Sequence, residues 1–279
     1  MGWNAKVWPV RSGNSDTPQL VRLVMDASLV LVPVCALGAS LLTFVSGFGL
    51  GTLLLPVFAL FYPLEVAVLL TAVVHVLNNL FKLGLLLRSV DRQVLLRFGL
   101  PGILGAIAGA FLLRSFGSSQ PWYNGVFHPV GAQHLVIATL MLVFGWLELA
   151  RPGPHRSFGP EWLVPGGLLS GFFGGLSGHQ GALRSLFLLR SGLDERAFIA
   201  TGVAIACLVD LTRLPIYLTG TSITSVCQQW PLLLITVCAA FAGAWWGKML
   251  LPKVTIRIAR IAVGCLMVAI AGMLVSGLI

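Results

Sequence analysis

Five polar residues stand inside one long apolar stretch: Thr71, His75, Asn78, Asn79 and Lys82. They recur at spacings of three and four, so on a helix they share one face. Asp210, Arg213 and Tyr217 do the same in a second apolar stretch. Polar and ionisable groups in such surroundings are costly and face a bundle interior or a cavity. The chemistry open to them is the binding of a small charged solute. Lys82 has a second reading, because it stands near one end of its stretch and its ammonium could snorkel to water. Asp210 and Arg213 also have two. Three residues apart, they can neutralise each other and lock helices together. Asp210 is equally the candidate for carrying a coupling proton. His75 reads as a packing residue.

Two blocks of glycine sit at corresponding places in the two halves of the chain. One is Ser46-Gly47-Phe48-Gly49-Leu50-Gly51, and the other is Gly174-Gly175-Leu176-Ser177-Gly178-His179-Gln180-Gly181. Each splits a hydrophobic stretch into two short pieces. Glycine lets the backbone leave helical geometry. In lipid such a break is tolerated only where protein or a watery cavity satisfies the loosened amides. Paired breaks in two halves point to the midplane site of a secondary transporter. His179 and Gln180 stand at the second break, to contact a ligand or to cap exposed backbone. Ser177 offers an N-cap hydroxyl there. Arg184 follows within the next apolar helix. A positive charge near a helix start is unfavourable unless an anion sits there, which sets the expected sign of the solute.

The elements that position these residues must lie in a membrane. The 279 residues are 57% hydrophobic and 10% charged, with a mean hydropathy of +0.93. A β-barrel is excluded, because the apolar segments run far past the roughly 10 residues of a membrane strand. A crossing helix needs about 20 apolar residues. Spans are expected at 26–45, 65–87, 95–114, 131–150, 195–218, 229–250 and 257–278. The shorter 48–62, and 162–176 with 180–190, fit half-helices or tight hairpins. The net charge of +9 is no nucleic-acid signal, since the basic residues are spread over short connections. Arg88, Arg92 and Arg97, Arg151 and Arg156, Arg190 and Arg196, and Lys248, Lys253, Arg257 and Arg260 mark cytoplasmic connections. The 115–130 and 219–228 connections hold no Lys or Arg and face out.

This pattern runs helix 65–87 inward and helix 195–218 outward, so the halves are inverted. An N-terminus outside, despite its basic tail, follows from the same pattern. The expected organisation is a polar tail at 1–25, a first membrane repeat at 26–150, a cytoplasmic connection at 151–160 and a second repeat at 161–279. Each repeat has a glycine-broken segment followed by three membrane helices. The first helix is expected to remain uncleaved. A shift of 131 pairs Ser46-Gly47 with Ser177-Gly178, Asn79 with Asp210, and Lys82 with Arg213. A shift of 130 pairs Glu65, Ala67 and Thr71 with Glu195, Ala197 and Thr201. Gly105-x-x-x-Gly109 and Gly243-x-x-x-Gly247 mark close helix packing in the second long helix of each half. Cys35, Cys207, Cys227, Cys238 and Cys265 contain no C-x-x-C pair and form no metal or disulfide framework.

The two glycine blocks, with Pro56 beyond the first, resemble the paired motifs of the TauE/SafE sulfite-exporter family. The segments 65–72 and 195–202, with Ala67, Thr71, Ala197 and Thr201, are similar to the helix that follows each motif. His179 and Gln180 depart from the small residues usual in the second motif. The resemblance covers most of 26–278. It implies an all-α integral membrane permease of the bacterial inner membrane. Its substrates would be small anions, chiefly sulfur oxyanions or organosulfonates such as sulfite, thiosulfate or sulfoacetate.

The expected site combines Ser46, Gly47, Gly49, Gly51, Asn78, Asn79, Ser177, Gly178, His179, Gln180, Gly181, Arg184 and Arg213, with Asp210 as coupling candidate. The expected partners are a small anion and membrane lipid, with no nucleic acid, no cofactor and no enzymatic chemistry. A homodimer is one open arrangement. A divalent-metal permease using His179 and Asp210, or a non-transporting assembly factor, are the competing readings.

Overall fold

The computed structural model describes residues 19–46, 50–117, 120–150, 159–189, 191–220, 226–250 and 256–279. Gly47, Gly49, Arg151, Arg156, Arg190 and Lys253 lie outside the described residues, as do the side chains of Ser46, Arg257 and Arg260. The described residues are helical almost throughout. Its helices are α1 (Gln19–Ser46), α2 (Leu50–Ala59), α3 (Leu64–Leu86), α4 (Arg92–Gly117), α5 (Ala132–Leu149), α6 (Leu163–Ser177), α7 (Gly181–Leu188), α8 (Glu195–Gly220), α9 (Trp230–Leu250) and α10 (Ile256–Ser276). A small antiparallel hairpin, β1 (Tyr123–Asn124) and β2 (Pro129–Val130), precedes α5. Among the described residues four stretches are long and apolar enough to cross a membrane: Leu64–Ser89, Arg92–Gly117, Glu195–Thr219 and Trp230–Met249. α1 starts inside the stretch read from sequence as a polar tail.

The second glycine block ends one helix and starts another. Gly178 adopts φ 83°, the left-handed conformation that closes a helix, and its N–H returns to Gly174 O at 2.9 Å. α7 begins three residues later, at Gly181. Ser177 does not cap it. The Ser177 hydroxyl donates back to Phe173 O at 3.3 Å, within α6. The reason is that the break occupies Gly178 to Gln180, which places Ser177 one turn too early to reach the amides of α7.

Glycine also sets the packing. α4 and α6 run parallel with their backbones in near contact. A Cβ on Gly105 would run into Leu168 O, one on Gly109 into Phe172 O, and one on Gly175 into Ala106 O. α9 lies on α1 in the same manner, with Gly243 against Leu37 O and Leu41 N. Leu168 and Phe172 are the residues 131 positions after Leu37 and Leu41, so the two seams repeat each other. The far side of α4 carries Leu96, Leu100, Leu104 and Phe111, all exposed. A face so apolar belongs against lipid tails rather than water.

α3 and α8 cross the centre antiparallel. Glu65 and Val68 share a cavity wall with Tyr217 and Thr219. Midway, His75 meets Asp210. Beyond them the Asp91 N–H donates to the Thr201 hydroxyl at 2.9 Å. α9 runs parallel to α3. Tyr62 donates to Gln229 Oε1 at 3.0 Å near one end, and Phe81 stacks on Phe241 further along, ring centroids 4.4 Å apart. Arg88, Arg92, Arg97, Arg196 and Lys248 therefore collect at one end of the bundle. At the other end the hairpin holds the close of α10. Val126 N–H donates to Ser276 O at 2.8 Å, and the N–H groups of Phe127 and His128 to Gly277 O at 2.9 Å.

Candidate functional site

The antiparallel crossing of α3 and α8 buries one carboxylate among many donors. Asp210 has no exposed surface. Its Oδ2 lies 2.6 Å from His75 Nδ1 and accepts from Asn79 Nδ2 at 3.2 Å. Its Oδ1 accepts from Arg213 Nε at 3.0 Å and from Gln180 Nε2 at 3.4 Å, and pairs with Arg213 NH2 at 2.9 Å. A carboxylate this fully surrounded by donors is held in its ionised form by geometry.

Two cations serve the ends of the broken helices. Arg213 NH1 donates to Gly174 O at 3.0 Å, and Tyr217 donates to Gly175 O at 2.5 Å. Both carbonyls belong to the last turn of α6, which carries the negative end of the dipole; Gly174 O shares its acceptor capacity with the Gly178 N–H. Lys82 plays the same part for α1. Its ammonium donates to Thr43 Oγ1 at 2.7 Å and reaches Ser40 O at 3.5 Å. Lys82 is only 3% exposed and turns inward, so it does not snorkel. Thr43 and Gly174 are again 131 residues apart, as are Lys82 and Arg213.

Between the starts of α2 and α7 lies a small cavity of about 20 Å³. That is room for about one water. Gly51 and Thr52 of α2 form one wall; Gly178, Gln180, Gly181 and Arg184 form the facing one. His75, Asn79 and Lys82 from α3 close it, with Thr43 at the end of α1. Arg184 is 4% exposed, on the first turn of α7. The starts of α2 and α7 thus border the same small space as two buried cations. Two larger cavities, about 780 and 640 Å³, lie at the hairpin end, away from the breaks. Glu65, Gly117 and Gln133 line both.

The chain matches the family described as "Sulfite exporter TauE/SafE" over residues 32–274. It belongs to the TauE/SafE family. Nothing matches it among curated proteins or solved structures. The match spans both broken segments and the helices that follow them, so this TauE/SafE chain is an integral membrane permease or exporter.

Of the residues that the sequence singles out, Gly51, Asn79, Gly178, Gln180, Gly181 and Arg184 come together around the cavity of this TauE/SafE chain. Asp210 and Arg213 sit one layer behind it. Asn78 stands aside. The amide orientation that satisfies its neighbours donates to Ser40 Oγ at 3.0 Å and Ala240 O at 3.1 Å, joining α3 to α1 and α9. His179 and Ser177 also turn elsewhere. His179 Nδ1 lies 2.8 Å from Ser177 Oγ, and the ring stacks on Phe144 of α5 at 5.4 Å. His75 is the wall residue that sequence reasoning assigned to packing. A lone histidine in an apolar helix gives no other signal, because its partner Asp210 is 135 residues away.

Proposed function

We propose that this chain is a secondary permease for a small anion, a sulfur oxyanion or organosulfonate, in the bacterial inner membrane. The observation that carries the reading is the charge around the breaks. Among the described residues the buried charged side chains are Lys82, Arg184, Arg213 and Asp210, three cations against one carboxylate. Lys82 and Arg184 line the cavity itself, where the starts of α2 and α7 add their positive ends. A positive surplus in a space shielded from bulk water is relieved when an anion enters it. The same charges repel a divalent cation and so count against a metal permease.

The halves are proposed to be inverted repeats. The antiparallel α3 and α8, and the glycine seams and cation–helix-end contacts repeated after 131 residues, support this arrangement. The basic end would face the cytoplasm. Alternating access would then rock the halves about the α3–α8 crossing, opening the small cavity to one side at a time. Purified protein in liposomes, offered sulfite, thiosulfate, sulfoacetate and nickel in parallel, tests the reading. Flux of at least one of the anions and none of nickel is expected. Nickel flux alone would overturn it.

A further inference from the structure

We propose that the anion travels with a proton bound to His75, so that the site takes up H⁺ and anion together. This rests on the permease reading above and adds the coupled ion.

The geometry of His75 defines the proton site. An ionised carboxylate can only accept hydrogen bonds. Asp210 accepts from Asn79, Arg213 and Gln180, and with the carboxylate ionised the 2.6 Å contact assigns the hydrogen to His75 Nδ1; Asn79 Nδ2, 3.2 Å from both Nδ1 and Oδ2, then donates to the carboxylate. That fixes the neutral tautomer, with the lone pair on Nε2. The other edge of the ring borders the cavity. A Cβ on Gly51 would meet Gly178 O at 3.4 Å and then His75 Cδ2 and Nε2 at 3.6 and 3.7 Å, so this edge lies between the start of α2 and the turn before α7. A neutral His75 therefore turns a lone pair toward the space the anion must fill. Protonation forms an N–H bond at Nε2 and converts that repulsion into a charge-assisted hydrogen bond.

The surroundings provide for both states. From α8, Asp210 supplies the counter-charge to an imidazolium, and Arg213 holds Asp210 in place. From α7, Arg184 borders the same cavity, and Lys82 does so from α3 itself. Among the described residues α2 contributes Leu50, Gly51 and Thr52, α8 contributes Val203, and the turn before α7 contributes Gly178 and Gln180, none of them titratable. With the cavity empty, the nearby cations oppose a further positive charge. With an anion present, they are balanced and the added proton is favoured. Each ligand thus raises the affinity for the other, as linkage requires. The proton enters from water on the side to which the cavity opens, and leaves on the other side with the anion. Asp210 never changes protonation, which separates its role from that of the carrier.

The test uses the full chain in detergent and in liposomes. Thiosulfate and sulfoacetate are the probes, because neither titrates near neutral pH; sulfite is run with its own titration subtracted. In weakly buffered solution the wild type should take up close to one proton per anion bound. Its affinity should fall with rising pH, by at most about tenfold per unit for one linked proton. His75→Gln, which keeps an amide donor for Asp210, should bind more weakly, take up no proton and lose the pH dependence. Anion binding by the wild type with neither proton uptake nor pH dependence overturns the inference and leaves the permease reading intact. Proton uptake by folded His75→Gln equal to wild type also overturns it. Failure of all three anions to bind removes the permease reading and this inference together.

Discussion

Lys82 on α3 donates to the hydroxyl of Thr43, 2.7 Å away near the end of α1. The contact joins a broken helix to the long helix that crosses the centre, and it fixes a buried ammonium on the cavity wall. Lys82→Gln keeps a donor for Thr43 but removes the charge. Transport should persist at reduced affinity, with an apparent KM raised roughly tenfold to a hundredfold, the equivalent of about 1.5–3 kcal/mol for a hydrogen bond to a charged group. Concentration-dependent flux in liposomes measures it. An unchanged KM would remove Lys82 from the anion site.

Asp210 and Arg213 form a fully buried pair, and neither can lose its partner cheaply. Asp210→Asn and Arg213→Gln should each cost about 3–5 kcal/mol of stability. The double variant should cost less than the sum of the two, because no uncompensated charge remains. Denaturation in detergent across the four proteins gives the coupling. Additive losses would mean that the pair is not a unit.

Arg184 differs from Arg213 in where it stands, on the cavity wall rather than one layer behind it. Arg184→Gln should cut anion binding at least tenfold while the protein still elutes as a single folded species. If stability falls and binding is kept, Arg184 is a structural residue and the positive surplus no longer argues for an anion.

The seam between α4 and α6 admits no side chain at Gly105, Gly109, Gly167, Gly171 or Gly175. Gly109→Val should abolish folding, since its Cβ alone would overlap Phe172 O. Gly84→Ala is the matched control. Nothing lies within 4 Å of a Cβ there, and the helix should gain about 0.5–1 kcal/mol. Yield and thermal stability in detergent distinguish the two. Equal tolerance of both would mean that α4 and α6 do not approach as described.

Orientation is checked with single cysteines in a background lacking the five native ones. Arg92→Cys and Lys248→Cys, at the basic end, should react with an impermeant thiol reagent only from the cytoplasm. Gln120→Cys and Val126→Cys, at the hairpin end, should react only from outside. Labelling of Gln120→Cys from the cytoplasm would reverse the orientation.

Much of this fold is legible in the sequence by itself. Hydrophobic stretches long enough to span, glycine blocks that interrupt them, and polar residues at spacings of three and four each report on a local property of the chain. They place the helices to within a few residues, except that α1 starts at Gln19, inside the expected polar tail. They also single out Gly51, Gly178, Gln180, Gly181 and Arg184, which stand at or beside a break, and Asn79, which shares the polar face of α3. What they cannot report is which polar residues face one another across helices. Asp210 meets His75 only because α3 and α8 cross antiparallel, and Lys82 finds Thr43 only because α1 ends against α3. The same tertiary contacts turn His179 onto Phe144 and draw Asn78 between Ser40 and Ala240, out of the cavity where their positions suggested they would lie. Spacing along one helix determines a shared face. Which partner that face finds is decided by close packing between segments more than a hundred residues apart, where glycine lets backbones touch and buried charges must find each other.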